Sequence, residues 1–132
     1  MIKINKEIID QMIEHARKEL PNEACGYLAA RDGVILKVFE MTNVDKSPEH
    51  FSFDPAEQFK VFREIRSVGL NITANYHSHP STPSRPSEED VRLAGDPDIS
   101  YVIISLAEKE PVIRSFKIQN NKTEAEEIKI LN

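Results

Sequence analysis

The chain has 132 residues, of which 39% are apolar, and its formal charge at pH 7 is −5. This length accommodates one hydrophobic core, so we expect residues 1–132 to form a single domain. The net negative charge and the absence of a cluster of lysine and arginine exclude the basic surface that nucleic-acid-binding proteins present.

Cysteine content and apolar runs bear on the cellular compartment. Cys25 is the only cysteine, which excludes an intramolecular disulfide and a cysteine-rich metal site. The N-terminal sequence MIKINKEIIDQ has no apolar segment of signal-peptide length, and the run YVIISLA is too short to cross a bilayer. We therefore predict a soluble cytoplasmic protein that does not bind membranes.

The first third of the chain predicts a helix and a β-hairpin. Asn5 can act as the N-cap of the helix, and Pro21 would stop it. The apolar residues at helical spacing are Ile8, Ile9, Met12, Ile13, Ala16 and Leu20. The segments ACGYLAA and VILKVFEM flank the pair Asp32-Gly33, and Asp-Gly between two β-prone runs is a strong hairpin signal.

The sequence DPAEQFKVFREIRSVG predicts a second helix. Asp54 is placed to act as its N-cap, and Glu57 is placed to complete a capping box. Proline follows the cap directly, and a glycine marks the other end. We expect its core-facing stripe to contain Phe59, Phe62 and Ile65.

The second half of the chain predicts more strands, with one short helix among them. NITANYHSH alternates apolar and polar residues and predicts a strand. Pro80, Pro83 and Pro86 then predict a stiff irregular loop, after which Ser87 begins a helix. ISYVIIS, VIRSFKI and EEIKIL predict further strands. This order indicates an α+β or mixed α/β domain with one curved sheet.

Two histidines in that strand point to a metal site. His77 and His79 are two residues apart, so they project from the same face of the strand. Catalytic zinc sites commonly take three ligands from the protein and leave a fourth position open. Asp90, in the first turn of the helix that follows the proline-rich loop, is the third candidate ligand.

Each candidate also has a structural explanation. An H-x-H pair on a strand is often two surface histidines, and a serine in S-x-x-D is a common helix N-cap, as Ser87 would be. Glu23 fits a solvated turn. Cys25 is predicted to be a small core residue rather than a nucleophile, while His15 and His50 are expected to be surface or interface residues without a chemical role.

In combination, these residues resemble the JAMM motif of MPN-domain metalloproteases. The motif contains H-x-H-P, six further residues and S-x-x-D, with a glutamate well upstream, and Glu23 in PNEACGYLAA lies at that position. The resemblance covers nearly the whole chain. It implies an MPN/JAB domain, with a fold similar to that of cytidine deaminases: one curved, mainly antiparallel sheet flanked by helices.

The resemblance also implies a role for each motif residue. His77, His79 and Asp90 would ligate one Zn²⁺ per chain. Glu23 would hold the attacking water and act as general acid and base, and Ser87 would stabilise the oxyanion.

The substrate class follows from the branch of the family that the chain resembles. EACGYL, TNVDKSPEHFSFDP and YHSHP match small bacterial and archaeal members that act on ubiquitin-like sulfur-carrier proteins. This implies hydrolysis after the carrier's C-terminal Gly-Gly, with release of cysteine or of a lysine-linked protein. The sequence favours neither leaving group. We also hypothesise that an exposed strand edge near the metal binds the carrier's tail.

Two other functions compete with the peptidase. A non-catalytic MPN scaffold that binds ubiquitin-like proteins is one, although such relatives typically lack motif ligands that this chain retains. A zinc deaminase is the other, but its P-C-x-x-C signature is absent. The H-E-x-x-H motif of other zinc proteases is absent as well.

Overall fold

The computed structural model describes all 132 residues and contains three helices and eight strands. The helices are α1 (Lys6–Lys18), α2 (Pro55–Ser67) and α3 (Glu88–Leu93). The strands are β1 (Ile2–Asn5), β2 (Cys25–Arg31), β3 (Val34–Met41), β4 (Asn71–His79), β5 (Ser100–Ser105), β6 (Val112–Gln119), β7 (Lys122–Glu126) and β8 (Ile128–Leu131). No helix has the length and apolar character needed to span a membrane.

All eight strands form one mixed sheet in the order β7-β6-β5-β4-β2-β3-β1-β8. Four neighbouring pairs are antiparallel, namely β2–β3, β2–β4, β5–β6 and β6–β7. The pairs β1–β3, β1–β8 and β4–β5 are parallel. The predicted α+β class with a mainly antiparallel sheet is therefore confirmed, and β4 lies at the centre of the sheet.

The helices cover both faces of the sheet. The largest hydrophobic cluster joins the apolar face of α1 to residues such as Tyr76 of β4. On the opposite face, Val61 and Ile65 of α2 pack on β2 and β3, while Val91 of α3 packs on β5 and β6. Because side chains alternate along a strand, the neighbour of Tyr76, His77, faces the side that carries α2 and α3.

Two helix predictions differ from the structure in detail. The side chain of Asn5 makes no capping bond, and α1 ends at Lys18 rather than at Pro21. In α2, Asp54 caps as predicted, but Glu57 accepts hydrogen bonds from the N–H and hydroxyl groups of Thr42 instead of completing a capping box.

The predicted core stripe of α2 is wrong at Phe59. Its side chain is 65% exposed, whereas Val61 and Ile65 are buried. Steps of three residues drift by about 60° around a helix, so Phe59 lies about 120° from Ile65, but Val61 lies only about 40° from it. The i, i+4 pair therefore forms the buried stripe, and Phe62 lies at its margin.

Tight turns explain two of the antiparallel strand pairings. Asp32 and Gly33 both have positive φ, at 51° and 80°, and close the predicted hairpin between β2 and β3. A second hairpin, between β6 and β7, turns at Asn120 and Asn121, with φ of 53° and 60°. The predicted strand EEIKIL is divided, because β7 ends at Glu126 and β8 begins at Ile128. β1 was not predicted.

Gly26 of β2 is required by close packing. A Cβ atom at this position would lie 2.5 Å from the carbonyl oxygen of Phe39 and would collide with the ring of Tyr76. We expect Gly26→Ala to lower the free energy of unfolding by about 3 kcal/mol, since a buried backbone must shift to admit it. Urea unfolding measures this. Gly95→Ala is the control, because its Cβ would meet nothing closer than 4.0 Å; an equal loss in both variants would contradict the packing argument.

Candidate metal centre

Strand β4 places the two motif histidines side by side. His77 and His79 are 3% and 4% exposed, and their Nε2 atoms lie 3.1 Å apart. Ser78 points to the opposite face, where its hydroxyl accepts a hydrogen bond of 2.7 Å from the N–H of Ala24. Hydrogen bonds to β2 and β5 on either side hold this part of β4 in place.

The proline-rich loop brings α3 back over the histidines. Two serines pin the loop to β5: the hydroxyl of Ser84 donates to the carbonyl of Ile103 at 2.7 Å, and that of Ser105 donates to the carbonyl of Thr82 at 2.6 Å. The loop donates one of these bonds and β5 donates the other, and moving the loop away from β5 would break both. Its stiffness therefore comes from these bonds as well as from proline.

Asp90 completes a triangle of ligand atoms. Its Oδ2 lies 3.1 Å from the Nε2 of His77 and 3.1 Å from that of His79. The carboxylate is oriented by a capping box, in which the N–H of Ser87 donates to Oδ2 at 2.9 Å and the Ser87 hydroxyl accepts from the N–H of Asp90 at 3.0 Å. The structure thus brings together all three residues predicted as ligands.

The triangle fits a tetrahedral cation. Ligands at about 2.0–2.1 Å from zinc stand about 3.3 Å apart, close to the observed spacing. The Nδ1 of His79 lies 2.9 Å from the carbonyl oxygen of Pro83 and must donate to it, so the neutral ring has its lone pair on Nε2. One proton cannot form good hydrogen bonds with two imidazole nitrogens and a carboxylate oxygen at the same time. A divalent cation would satisfy all three.

The electrostatics of the triangle match this arrangement. Burial raises the pKa of Asp90, but hydrogen bonds from His77, His79 and the Ser87 backbone outweigh it and hold the pKa well below its usual range. Burial lowers the pKa of His79, yet its bonds to Asp90 and Pro83 prevail, and the net pKa is raised. The site is thus built for positive charge at its centre.

Glu23 lies two residues before β2, close enough to His79 and Asp90 for their charges to act on it. It is 3% exposed, and its Oε1 atom is buried without a hydrogen-bond partner. Burial raises the pKa of its carboxyl group to about 8, and the charge of Asp90 also raises it, although His79 lowers it. A buried carboxyl group with a pKa near neutrality is suited to accept and return a proton.

A cleft opens beside the ligands. Its volume is about 250 Å³, and Phe51, Phe53 and Leu93 form much of its apolar wall, with His77 and Asp90 at its polar end. A second cleft shares Phe53 and Leu93 and continues between α2 and α3. Together they form an apolar path that leads to the ligands.

The remaining predictions about single residues have mixed outcomes. Cys25 is buried and its pKa is raised by burial to about 12, so it is a core residue as predicted. His50 is exposed and contacts Asp45. His15 was expected at the surface or at an interface, but it lies in the core of the domain: it is 3% exposed, and its Nδ1 lies 2.8 Å from the hydroxyl of Tyr76. A polar partner inside the core therefore accounts for His15.

The hypothesis of a free strand edge near the metal is wrong. β4 has a hydrogen-bonded neighbour on each side, and the two edge strands of the sheet are β7 and β8. An extended peptide that reaches the ligands must therefore approach over the face of the sheet, where α2 and α3 frame the clefts.

Comparison with known proteins decides the family. A family model described as prokaryotic homologs of the JAB domain matches residues 5–119. The chain belongs to this JAB family. It is similar to the CysO-cysteine peptidase of Mycobacterium tuberculosis, with 34% identity over 97% of this chain and 90% of the relative.

Solved structures agree with the JAB assignment. The solution structure of a protein from Desulfitobacterium hafniense has 48% identity, covers 99% of this chain and 93% of its own, and superposes with a TM-score of 0.91. The crystal structure of a JAB1/MPN domain protein from Archaeoglobus fulgidus shares the fold, with 21% identity, 99% and 100% coverage and a TM-score of 0.68. The predicted MPN/JAB fold and JAMM-type metallopeptidase assignment are thereby confirmed.

The sequence did not reveal the residues that support the site. Asn43 binds the backbone of Glu23, Phe51 stacks on His77, and Pro83 fixes the tautomer of His79. The only sequence feature that pointed to these supporting residues was the long segment between β3 and α2, because a segment of that length in a small domain often carries function.

Proposed function

We propose that the JAB domain formed by residues 1–132 is a cytoplasmic zinc peptidase. It hydrolyses the bond after the C-terminal Gly-Gly of a ubiquitin-like or sulfur-carrier protein and binds one Zn²⁺ per chain. The observation that carries this proposal is the triangle of His77, His79 and Asp90 with the buried, unpartnered carboxylate of Glu23 close to it.

The chain's own residues divide the chemistry among them. His77, His79 and Asp90 would hold the zinc, which when bound polarises a carbonyl group and makes water a better nucleophile. Glu23 takes a proton from the attacking water at its carboxylate and returns it to the leaving amine. The apolar walls of the cleft limit competing water beside His77 and Asp90, and burial keeps the carboxyl group of Glu23 poorly solvated.

Ser87 is proposed as the oxyanion donor. Its oxygen accepts from the N–H of Asp90, while its hydroxyl hydrogen stays free to donate. We expect Ser87→Ala to lower turnover about 100-fold and to lower the free energy of unfolding by about 1 kcal/mol through loss of the cap. Steady-state kinetics and urea unfolding measure the two effects.

The control for Ser87→Ala separates capping from catalysis. Asp54→Ala removes the comparable side-chain cap of α2, away from the ligands. Asp54→Ala should lower the free energy of unfolding by a similar amount and leave turnover unchanged. Ser87→Thr retains the hydroxyl group and should keep both the stability and the turnover of the wild type. Full turnover by Ser87→Ala would remove Ser87 from the mechanism.

The substrate class is supported by the relative and by the clefts. The similar mycobacterial protein is named a peptidase of CysO-cysteine, which favours carriers extended by cysteine as the first substrates to test. The path between α2 and α3 is lined largely by apolar residues, and a glycine tail suits such a path because it has no side chains to accommodate. Lysine-linked protein is the second leaving group.

The intact mass of extended carriers tests the proposal. Several carriers that end in Gly-Gly, each extended by cysteine or by a lysine-linked peptide, are incubated with the protein with and without a chelator. Loss of the extension that the chelator prevents is the expected result, and the preferred extension identifies the leaving group. No change of mass with zinc demonstrably bound would contradict the proposal and favour a scaffold that binds carriers without cleaving them.

A further inference from the structure

The segment of residues 43–53, between β3 and α2, crosses the candidate site; we call it the 43–53 loop. Asn43 begins it and is 8% exposed. The amide nitrogen of Asn43 donates to the backbone carbonyls of Glu23 and His50, both at 3.1 Å. Its amide oxygen accepts from the N–H of Asp45 at 3.1 Å and from that of Ser52 at 3.3 Å.

These four bonds fully satisfy the side-chain amide, which offers two donors and two lone pairs. Three of the four bonds join Asn43 to other residues of the 43–53 loop and fix the path of its backbone. The fourth bond joins the loop to the backbone of Glu23. The N–H of Glu23 makes a further bond, of 2.8 Å, to the carbonyl of Ser47. Both backbone polar groups of Glu23 are therefore bonded to the 43–53 loop.

The backbone is what fixes the carboxylate of Glu23. Its Oε1 atom has no hydrogen-bond partner, so no side-chain bond holds that oxygen in place. A shift of the 43–53 loop would move the backbone of Glu23 and carry the carboxylate with it. Displacements of about 1 Å in an active site can lower a rate about 100-fold.

The same loop contacts a ligand through Phe51. The rings of Phe51 and His77 stack with centroids 4.8 Å apart and planes at 29°. Histidine ligands usually donate their other N–H to a carbonyl or carboxylate, as His79 does to Pro83. The Nδ1 of His77 is instead buried with no partner. Stacking on Phe51 thus takes the place of the bond that would orient this ring.

Internal bonds make the 43–53 loop a rigid unit. The carboxylate of Asp45 accepts from the hydroxyl of Ser52 at 2.6 Å and lies 3.0 Å from the Nδ1 of His50. The N–H of Val44 donates to the carbonyl of Ser52 at 3.1 Å. Phe51 is held between these two bonded residues, so the position of its ring is coupled to that of Asn43.

We propose that Asn43 and Phe51 are positioning residues, through which the 43–53 loop sets the carboxylate of Glu23 against the ligand ring of His77. This inference rests on the proposed function and deepens it. Asn43 acts on the backbone of Glu23, and Phe51 acts on the orientation of His77. The two effects have separate readouts, because one concerns proton transfer and the other concerns metal retention.

Zinc release tests the role of Phe51 without any substrate. The zinc-loaded protein is mixed with a chromophoric chelator, and the rate of zinc loss is recorded. Phe51→Leu should release zinc at least about tenfold faster, within the range seen when groups that orient ligands are removed. Phe51→Tyr retains the ring and should stay within about twofold of the wild type. Phe59→Leu makes the same change at a residue that is 65% exposed and serves as the control.

Kinetics on the cleaved carrier test the role of Asn43. Asn43→Ala should lower kcat at least about tenfold with KM within about twofold and one zinc retained, because Glu23 is misplaced rather than removed. Asn43→Asp keeps the size of the side chain and the accepting oxygen but loses both donors, so it should show the same loss in kcat. This variant provides the test if the alanine variant does not fold. Asn71→Ala, on an exposed residue of β4, is the control.

The outcomes separate this inference from the proposed function. Wild-type zinc release by Phe51→Leu, or wild-type kcat in the folded Asn43 variants, would overturn the positioning roles while leaving the peptidase intact. A wild-type protein that binds zinc but cleaves no carrier would overturn the peptidase, and the zinc-release comparison would still decide the role of Phe51.

Discussion

Glu23→Gln should abolish most turnover while the protein keeps its zinc. The substitution preserves the size of the side chain and removes its ability to take up and return a proton. General acid–base catalysis contributes roughly 10²–10⁴-fold to enzymatic rates, so we expect kcat to fall by about 10³-fold with little change in KM. Cleavage of the preferred carrier, followed by intact mass, measures the rate, and metal analysis measures the zinc content.

The control for Glu23→Gln is the same substitution at an exposed position. Glu49 lies in the 43–53 loop with its side chain in solvent, and Glu49→Gln should retain full turnover. If Glu23→Gln cleaved carriers at the wild-type rate, another group would have to move the proton. Loss of zinc together with turnover would instead assign Glu23 to the metal site.

Stability in the presence of a chelator gives an independent measure of the same carboxyl group. In the metal-free protein the pKa of Glu23 is raised by burial to about 8 from a usual 4.5. The stability that the neutral acid contributes is fully present below pH 4.5 and is lost as the pH rises through 8. The Glu23→Gln side chain cannot ionise. At pH 9 the free energy of unfolding of this variant, measured with urea, should therefore exceed that of the wild type by an amount on the order of 2 kcal/mol.

The motif residues could be predicted because their spacing encodes their geometry. Alternation along a strand places His77 and His79 on one face, and an N-cap signature places Asp90 in the first turn of α3. Each rule is local, so the sequence alone predicted that these three side chains lie close together. The Asp32-Gly33 hairpin was predictable for the same reason, since a two-residue turn is a local structure.

Three of the differences between prediction and structure concern contacts between distant residues. β1 is only four residues long and is held by pairing with β3 and β8, which no local pattern reports. Glu57 could have completed a local capping box, but it instead accepts hydrogen bonds from the N–H and hydroxyl groups of Thr42, which directly follows β3. His15 is buried because Tyr76 provides a partner 61 residues away in the chain.

The support of the candidate site was unpredictable for this same reason. Asn43 and Phe51 lie in a segment without periodicity, and their importance depends on where Glu23 and His77 end up in the fold. Sequence can therefore identify candidate site residues, whereas the structure is needed to find the residues that contact them.

Asp90→Asn should remove zinc from the site. The substitution keeps the shape of the side chain and an oxygen that can accept from the N–H of Ser87, but it removes the negative charge between His77 and His79. We expect zinc affinity to fall by more than about 100-fold, beyond the 10–100-fold typical of groups that only orient ligands, and turnover to fall with it. Chelator competition measures the affinity.

The control for Asp90→Asn removes a negative charge from the same helical turn. Glu88 is exposed in the first turn of α3, and its carboxylate contacts neither histidine. Glu88→Gln should therefore keep wild-type zinc affinity. Equal losses in both variants would mean that the general charge of this turn, rather than ligation by Asp90, holds the metal.

The dependence of zinc affinity on pH makes the prediction for Asp90 more specific. Zinc competes with protons for the Nε2 of His79, whose pKa in the metal-free protein is raised above its usual 6.5, so affinity should weaken as the pH falls through that raised value. Asp90 is a principal cause of the raised pKa, because its hydrogen bond and its charge both favour the protonated ring. The Asp90→Asn variant should therefore bind zinc weakly. Its zinc affinity, relative to its own maximum, should begin to fall at a lower pH than that of the wild type. If the substitution instead caused misfolding, the zinc affinity would fall at every pH and the midpoint of its pH dependence would not shift. A shifted midpoint therefore identifies Asp90 as the partner of His79.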